Sequence, residues 1–347
     1  MRTARAGESP KAYPDFLGIG AQKAGTTWLY RNLLAHPQIW MPDYKEVHYF
    51  DKKANWSPNI ARRILSNRRV DYKWRRRIKR LIRLHTIESF SIRNLSRDLM
   101  RHMRSYDDEW YASIFEPSNG RTTGEITPAY SVLDRDLVAH VHETLPEAKI
   151  IFMMRSPIER AWSQAVMSFD KAEDGLTNPV SKSRLLRRFD KRNNFRALTD
   201  YLRTLENWGS FYHEDQIFVG FLEDVHFFPE ELLSRLYAFL GVDPSFKSPS
   251  LNEKVHSRSA GKIPTSLATH LAEAYREESA RLAERFGGYA SFWLYCAKRL
   301  IEDPPKGKFI PYPLWESAIW EEWVDDSGAN SRRPQLQSAP LPAVRIV

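Results

Sequence analysis

The chain has 347 residues, of which 42% are hydrophobic and 27% charged. This composition excludes wholesale disorder and a collagen-like structure, and the length is sufficient to bury a core. A single cysteine, Cys296, excludes an intrachain disulfide framework and a cysteine-based zinc site. Residues 1–14 contain no apolar stretch as long as a signal peptide or a membrane span. We therefore expect a flexible amino terminus and a cytoplasmic protein.

The positive charge is concentrated in one segment. The formal net charge is +9, yet residues 61–104 alone carry 15 Lys or Arg and 3 Asp or Glu. The net positive charge of the chain therefore comes from residues 61–104, here called the basic segment. Because the charge is confined to this segment, nucleic acid is not favoured as a partner of the whole chain. Apolar residues recur in the segment at helical spacing, namely Ile64, Leu65, Trp74, Ile78, Leu81 and Ile82. This pattern predicts one or two amphipathic helices inserted into the fold.

Units of a strand followed by a helix recur along the chain. The predicted strands are 15–20, 149–154 and 216–222, and the predicted helices are 26–35, 159–169, 229–240 and 263–286. The continuous apolar run in 149–154 is typical of a parallel strand buried on both faces. The pattern predicts an α/β fold, a single domain of residues 15–300 with a central parallel sheet flanked by helices. An aromatic extension at 301–325 and a disordered tail at 326–347 are expected to follow.

The sequence Gly20-Ala-Gln-Lys-Ala-Gly-Thr-Thr27 lies where the first predicted strand meets the first helix. Unpaired backbone N–H groups at such a junction bind phosphate. The loop departs from the nucleoside-triphosphate pattern, because Thr26 stands where lysine is required and the lysine is at position 23. This disfavours Mg²⁺-dependent ATP or GTP chemistry. Lys23 could instead stabilise the charge that develops on the leaving oxygen of 3′-phosphoadenosine 5′-phosphosulfate (PAPS), without a metal.

Residues 22–29, Gln-Lys-Ala-Gly-Thr-Thr-Trp-Leu, resemble the 5′-phosphosulfate loop of the PAPS-dependent sulfotransferases. The resemblance implies a P-loop-like domain in which Lys23 contacts the leaving group. It also implies a set of residues that bind the cofactor near its 5′-phosphate: Lys23, Ala24, Gly25, Thr26, Thr27 and Trp28.

A second motif, Arg155-Ser-Pro-Ile-Glu-Arg-Ala-Trp-Ser163, follows the predicted strand 149–154. A guanidinium and a hydroxyl together suit a phosphate monoester. In the sulfotransferases this pair binds the 3′-phosphate of PAPS, and the resemblance extends that role to Arg155 and Ser163. A late basic loop supplies weaker candidates for the same part of the cofactor, Arg258, Gly261 and Lys262.

The catalytic base is predicted in the segment Lys45-Glu-Val-His-Tyr-Phe-Asp51. Transfer to a hydroxyl needs a base that accepts the proton, and aromatic neighbours can raise the pKa of a carboxylate towards the useful range. The segment is similar to Glu-Val-His-Phe-Phe-Asp of the heparan-sulfate-type and bacterial sulfotransferases. The similarity implies that Glu46 is the base and that His48 assists, and His48 as the base is the alternative. We interpret Lys45 and Asp51 as a solvated surface pair outside the catalytic set.

The motif Gly124-Glu-Ile-Thr-Pro-Ala-Tyr130 resembles the Glu-Lys-Ser/Thr-Pro-Ala-Tyr motif of glycosaminoglycan sulfotransferases, with Ile126 in place of the lysine. The missing cation argues against a highly anionic sugar as acceptor. The basic segment is either a solvated surface or an acceptor wall that attracts an anionic carbohydrate, a lipid or a membrane surface. Its densest cluster is Arg75, Arg76, Arg77, Lys79 and Arg80. The alternative wall is the aromatic group in 309–323.

Taken together, these patterns predict an enzyme that moves a sulfuryl group from PAPS to a hydroxyl or amine of a carbohydrate, lipid or small molecule, without a metal. Two other functions stay open. The chain could be a P-loop kinase acting on a small acceptor, or a non-enzymatic protein that binds a polyanion through residues 61–104.

Overall fold

A computed structural model describes residues 12–51, 107–169, 196–253 and 261–327, together with ten positions between 64 and 83. The strands in these ranges are β1 Phe16–Gly20, β2 Ile39–Trp40, β3 Thr122–Ile126, β4 Lys149–Met154, β5 Ile217–Phe221, β6 Lys262–Pro264 and β7 Phe309–Pro311. The helices are α1 Thr26–Ala35, α2 Asp108–Ser113, α3 Arg135–Thr144, α4 Pro157–Phe169, α5 Tyr201–Gly209, α6 Leu222–Phe227, α7 Pro229–Leu240, α8 Thr265–Phe286, α9 Gly288–Glu302 and α10 Ala318–Ser327.

The central sheet has five parallel strands in the order β2-β3-β1-β4-β5. The predicted α/β fold with a parallel sheet flanked by helices is confirmed. From β1 the chain runs to β2 and β3 on one side of β1 and then crosses to β4 and β5 on the other side. In such sheets ligands bind beside the carboxyl ends of the strands, where the strand order reverses. That point is the end of β1.

Close backbone packing holds β1 at the centre of the sheet. All five residues of β1 are buried, and five of the six in β4 are buried. Gly124 on β3 faces the ring of Phe16, and a Cβ atom added at Gly124 would lie 2.2 Å from the Phe16 Cζ atom. Two strands of this sheet, β2 and β3, were not predicted. β2 has only two residues, and the Thr-Thr-Gly-Glu-Ile sequence of β3 lacks a continuous apolar run.

The carboxyl-terminal extension packs on the domain. Helix α9 runs through Glu302, two residues beyond the predicted end of the domain at residue 300. Beyond it, β7 pairs antiparallel with β6, and Trp320 and Trp323 of α10 pack on Phe292 at ring separations of 4.7 and 5.3 Å. Helix α10 ends at Ser327, so the first two residues of the predicted disordered tail are helical. Residues 328–347 lie outside the described ranges.

The described positions of the basic segment are helical except Ser66. Ile64 and Leu65 are 55% and 83% exposed. The other residues of 61–104, Arg77 and Arg80 among them, lie outside the described part of the chain. Of the predicted flexible amino terminus, residues 12–14 are described, and the Tyr13 carbonyl accepts a hydrogen bond from Thr123 at 3.1 Å. In the described ranges no helix combines the length and the apolar character needed to cross a bilayer.

We expect Gly124→Ala to lower the free energy of unfolding by about 1–3 kcal/mol, because the new methyl group would overlap the buried Phe16 ring. Chemical denaturation measures the change. Gly209→Ala is the matched control, since no atom lies within 4 Å of a Cβ added there. Equal stability of the two variants would contradict the packing described for β1 and β3.

Candidate active site

The loop after β1 leaves the amino end of α1 open. Gly25 is the N-cap residue, with φ 82°, and no side chain caps the helix. The first helical hydrogen bond runs from Leu29 N to Gly25 O at 3.0 Å. The N–H groups of Thr26, Thr27 and Trp28 precede that bond and can therefore bind an anion. Gly25 is required here because a side chain would be strained at this φ and would lie 2.9 Å from Leu222.

Two of the predicted cofactor-binding residues have side chains directed into the core. The Trp28 indole is buried and donates to Leu251 O at 2.9 Å. Ala24 is buried, and its N–H donates to Ala21 O at 3.2 Å. Any contact of Trp28 with a phosphate would therefore come from its backbone.

Lys45 lies on the phosphate loop. Its ammonium group donates to Thr26 Oγ1 and Thr27 Oγ1, both at 3.0 Å, and its side chain is 17% exposed. Burial lowers the pKa of Lys45, and the carboxylate of Glu46, 3.8 Å away, acts in the opposite direction. The interpretation of Lys45 as solvated is wrong, because the fold places its segment against the amino end of α1.

Glu46 and His48 are adjacent to this lysine. His48 Nε2 lies 3.3 Å from Glu46 Oε2, and His48 Nδ1 lies 2.8 Å from Asp51 Oδ2. The Asp51 side chain is 18% exposed, so its interpretation as a solvated residue is also wrong. The Asp51 carboxylate accepts from Nδ1 and orients the ring so that Nε2 faces Glu46. The Glu46 side chain is 42% exposed, as a base that must reach an acceptor requires.

Three predicted catalytic residues have left-handed backbone conformations. The φ angles are 74° at Lys23, 71° at Glu46 and 60° at His48. Residues with a Cβ rarely adopt this region, and each instance costs about 1–3 kcal/mol. Such strain persists only where surrounding contacts hold the backbone, and it concentrates at functional sites.

The Gly124–Tyr130 motif supplies those contacts for the Glu46–His48 segment. Glu125 is buried and accepts hydrogen bonds from the side chains of Tyr111, Thr127 and Tyr130 at 2.6–3.0 Å. Tyr130 Oη accepts from Tyr49 N at 2.9 Å, and Thr127 Oγ1 accepts from His48 N at 3.5 Å. Burial raises the pKa of Glu125, and the three hydrogen bonds oppose that rise. The motif therefore holds the backbone of the predicted catalytic segment in place.

Ile126, the residue that replaces the family lysine, is buried in the core. A Cβ atom added to Gly18 would lie 2.7 Å from its Cγ1 atom. This position of β3 therefore supplies no charge to the site.

The second motif begins at the carboxyl end of β4, next to the phosphate loop. Arg155 is buried and donates to three oxygens, those of Glu159 at 3.3 Å, the Lys23 carbonyl at 3.2 Å and Tyr312 at 2.5 Å. Ser163 on α4 hydrogen-bonds the same Tyr312 hydroxyl. The structure thus brings together Arg155 and Ser163, eight residues apart, and joins Arg155 to the backbone of Lys23.

The late basic loop ends beside this motif. Arg258 lies outside the described residues. Gly261 and Lys262 are exposed, and each is paired with the segment that carries Tyr312. Tyr312 N donates to Gly261 O at 3.2 Å, and Lys262 is in register with Pro311.

Sequence reasoning missed three contributors to the site. Lys45 and Asp51 flank the residues chosen as catalytic, and their places in the same seven-residue motif were the signal that could have identified them. For Tyr312, 157 residues from Arg155, the sequence contains no comparable signal. Within the described ranges, no group of three or more His, Cys, Asp or Glu side chains could hold a metal ion.

Known proteins that resemble this chain are sulfotransferases. Residues 14–246 match a model described as the sulfotransferase family. The chain is 26% identical over 174 residues to the membrane-associated sulfotransferase kil1 of Dictyostelium discoideum, covering 49% of this chain and 26% of that protein. It is 24% identical over 324 residues to human carbohydrate sulfotransferase 15, covering 82% of this chain and 55% of that protein. This chain thus spans about half or less of the length of these relatives.

Among solved structures, a sulfotransferase from Alicyclobacillus acidocaldarius superposes with a TM-score of 0.52 at 21% identity, covering 79% of this chain and 95% of that one. This similarity supports the fold alone. The family match covers well over half of the sequence and includes the phosphate loop, the Glu46–His48 segment and the Arg155–Ser163 motif. The chain belongs to the sulfotransferase family.

Proposed function

We propose that the donor is PAPS and that the enzyme transfers its sulfuryl group in line to a hydroxyl or amine of an acceptor. The observation that carries this proposal is the hydrogen bond from Arg155 to the Lys23 carbonyl. It holds two anion-binding motifs side by side at one edge of the sheet. A nucleotide with separate 5′ and 3′ phosphates requires two such motifs, whereas a nucleoside triphosphate requires one.

The residues present suit the two ends of PAPS. Uncapped N–H groups and the hydroxyls of Thr26 and Thr27 face the position expected for the 5′-phosphate. Burial alone would lower the pKa of Arg155, but the ion pair and hydrogen bond with Glu159 raise it above the usual value, so the guanidinium keeps its charge. A permanently charged guanidinium beside a hydroxyl is suited to the 3′-phosphate.

The chemistry divides between two groups of residues. As the acceptor oxygen or nitrogen attacks sulfur, its proton passes to Glu46, which is oriented by His48 and Asp51. The bond between sulfur and the bridging oxygen breaks, and Lys23 stabilises the negative charge left on that oxygen. Lys45, already on the loop hydroxyls, adds a second positive charge near the 5′-phosphate.

We further propose a carbohydrate acceptor. Two relatives support this class by name, human carbohydrate sulfotransferase 15 and a Drosophila melanogaster bifunctional heparan sulfate N-deacetylase/N-sulfotransferase that is 26% identical over 245 residues. The buried Ile126 supports an acceptor less anionic than a glycosaminoglycan. The basic segment, with Leu65 exposed, would form the acceptor wall or rest on the membrane surface that bears the acceptor. The enzyme would then be cytoplasmic and peripherally attached.

The desulfated product, 3′-phosphoadenosine 5′-phosphate (PAP), should raise the melting temperature in the presence of EDTA, because the proposed phosphate contacts are N–H groups, hydroxyls and fixed cations. Differential scanning fluorimetry compares PAP with ATP, with and without Mg²⁺. A larger shift with Mg²⁺ and ATP than with PAP would support a kinase and refute PAPS as the donor.

Lys23→Ala should lower kcat by about 10²–10³ while changing the KM for PAPS far less, because its contact strengthens as charge develops on the leaving oxygen. Steady-state transfer of labelled sulfate to a carbohydrate panel measures both constants. Lys298→Ala, at an exposed position of α9, is the control for the loss of one positive charge. A kcat equal to that of the control would remove Lys23 from the chemical step.

Glu46→Gln should lose about 10²–10⁴ in rate, the usual contribution of a general base, while PAP affinity measured by calorimetry stays within about twofold. Glu143→Gln, an exposed carboxylate on α3, is the control. His48→Ala should be less damaging, since His48 orients Glu46. If His48→Ala costs more rate than Glu46→Gln, the base is the imidazole.

A further inference from the structure

Tyr312 lies within the predicted 3′-phosphate motif. Its hydroxyl oxygen is 2.5 Å from Arg155 Nη2, and the guanidinium carbon is 5.2 Å from the centre of its ring. Ser163 hydrogen-bonds the same hydroxyl. One phenol therefore contacts both side chains that the resemblance assigns to the 3′-phosphate.

The segment around Tyr312, residues 309–316, is here called the C-terminal strap. On one side of Tyr312 the strap pairs with β6, and Tyr312 N itself donates to Gly261 O at 3.2 Å. On the other side, Leu314 N donates to Glu159 Oε1 at 2.5 Å. Glu159 is the carboxylate that also pairs with Arg155. The backbone on both sides of the phenol is thus held, so the phenol has a fixed position beside Arg155.

The hydroxyl of Tyr312 has a proton to donate. Its oxygen accepts from Arg155 Nη2, and the Ser163 hydroxyl is its second hydrogen-bond partner. Burial nevertheless raises the pKa of Tyr312, with Arg155 and Ser163 opposing the rise, so the phenol is protonated at neutral pH. The phenolic hydrogen can be donated to Ser163 Oγ in the free protein and to a bound phosphate oxygen in the complex.

The charge balance of the motif favours such a donor. Glu159 offsets the charge of Arg155, so a doubly negative 3′-phosphate gains little from net charge and depends on hydrogen-bond donors. A guanidinium has five N–H groups, and three of those of Arg155 bind Glu159, Lys23 O and Tyr312. Its remaining two, together with the hydroxyls of Ser163 and Tyr312, form a set of donors suited to one phosphate group.

We propose that Tyr312 is a ligand of the 3′-phosphate and makes the site selective for 3′-phosphorylated nucleotides. This inference rests on the proposed PAPS function and extends it to a residue outside the region matched by the family model, residues 14–246. The strap thereby completes the cofactor site with a side chain from the far end of the chain.

The test compares calorimetric binding of PAP and of adenosine 5′-phosphate, which lacks the 3′-phosphate. Tyr312→Phe keeps the ring over Arg155 and removes only the hydroxyl. We expect it to weaken PAP binding about 10- to 100-fold, as for a lost hydrogen bond to a charged group, and adenosine 5′-phosphate binding less than about twofold. Tyr295→Phe is the matched control, since that hydroxyl binds Asp326 at the surface of α9.

Each other outcome overturns a specific claim. Unchanged PAP affinity in Tyr312→Phe would show that the phenol only packs, and tighter PAP binding would show that it competes with the phosphate. An equal loss for both nucleotides would indicate a structural defect and would also overturn the inference. If the unmodified protein binds PAP no better than adenosine 5′-phosphate, the 3′-phosphate site itself is wrong and the proposed function fails first.

Discussion

The rest of the site depends on the hydrogen bonds that the buried guanidinium of Arg155 donates. A charge removed from water requires hydrogen-bonding partners, and here they come from three parts of the chain: the phosphate loop, helix α4 and the C-terminal strap. Each partner is thereby fixed relative to the others. The end of β4, where Arg155 lies, adjoins the end of β1, so the hydrogen bonds of one buried cation also align the two proposed phosphate-binding motifs.

A second constraint operates on the acceptor side. Glu46 and His48 adopt backbone conformations that an isolated segment would leave, and the buried Glu125 network holds them there. Glu125 needs its three hydroxyl donors because a carboxylate without them would be strongly disfavoured at this depth. The Thr-Pro-Ala-Tyr motif therefore holds the backbone of the proposed catalytic segment, and Lys45 connects this segment to the phosphate loop.

The sequence match to the family covers about the first two thirds of the chain and does not extend to the remainder. The matched region ends at residue 246, before the strap and helices α8, α9 and α10. Yet these later elements are an integral part of the fold. Helix α10 packs on α9 through an aromatic cluster, and Trp293 of α9 donates a hydrogen bond to the buried Glu223 near Arg155. Burial and the nearby Glu159 raise the pKa of Glu223 to about 8, so this neighbour adds little negative charge at neutral pH.

The sequence alone determined the features that depend on neighbouring residues. The apolar run of β4, the phosphate loop and the cap at Gly25 each follow from a few consecutive residues, so helix α1 and strand β4 were predicted with their observed bounds. Tertiary structure decided which charged side chains are removed from water. Lys45 and Asp51 were interpreted as solvated because their burial depends on the elements that cover them, and no local pattern records those elements. Tyr312 reaches Arg155 across 157 residues, a contact that exists only once β6 and β7 have paired.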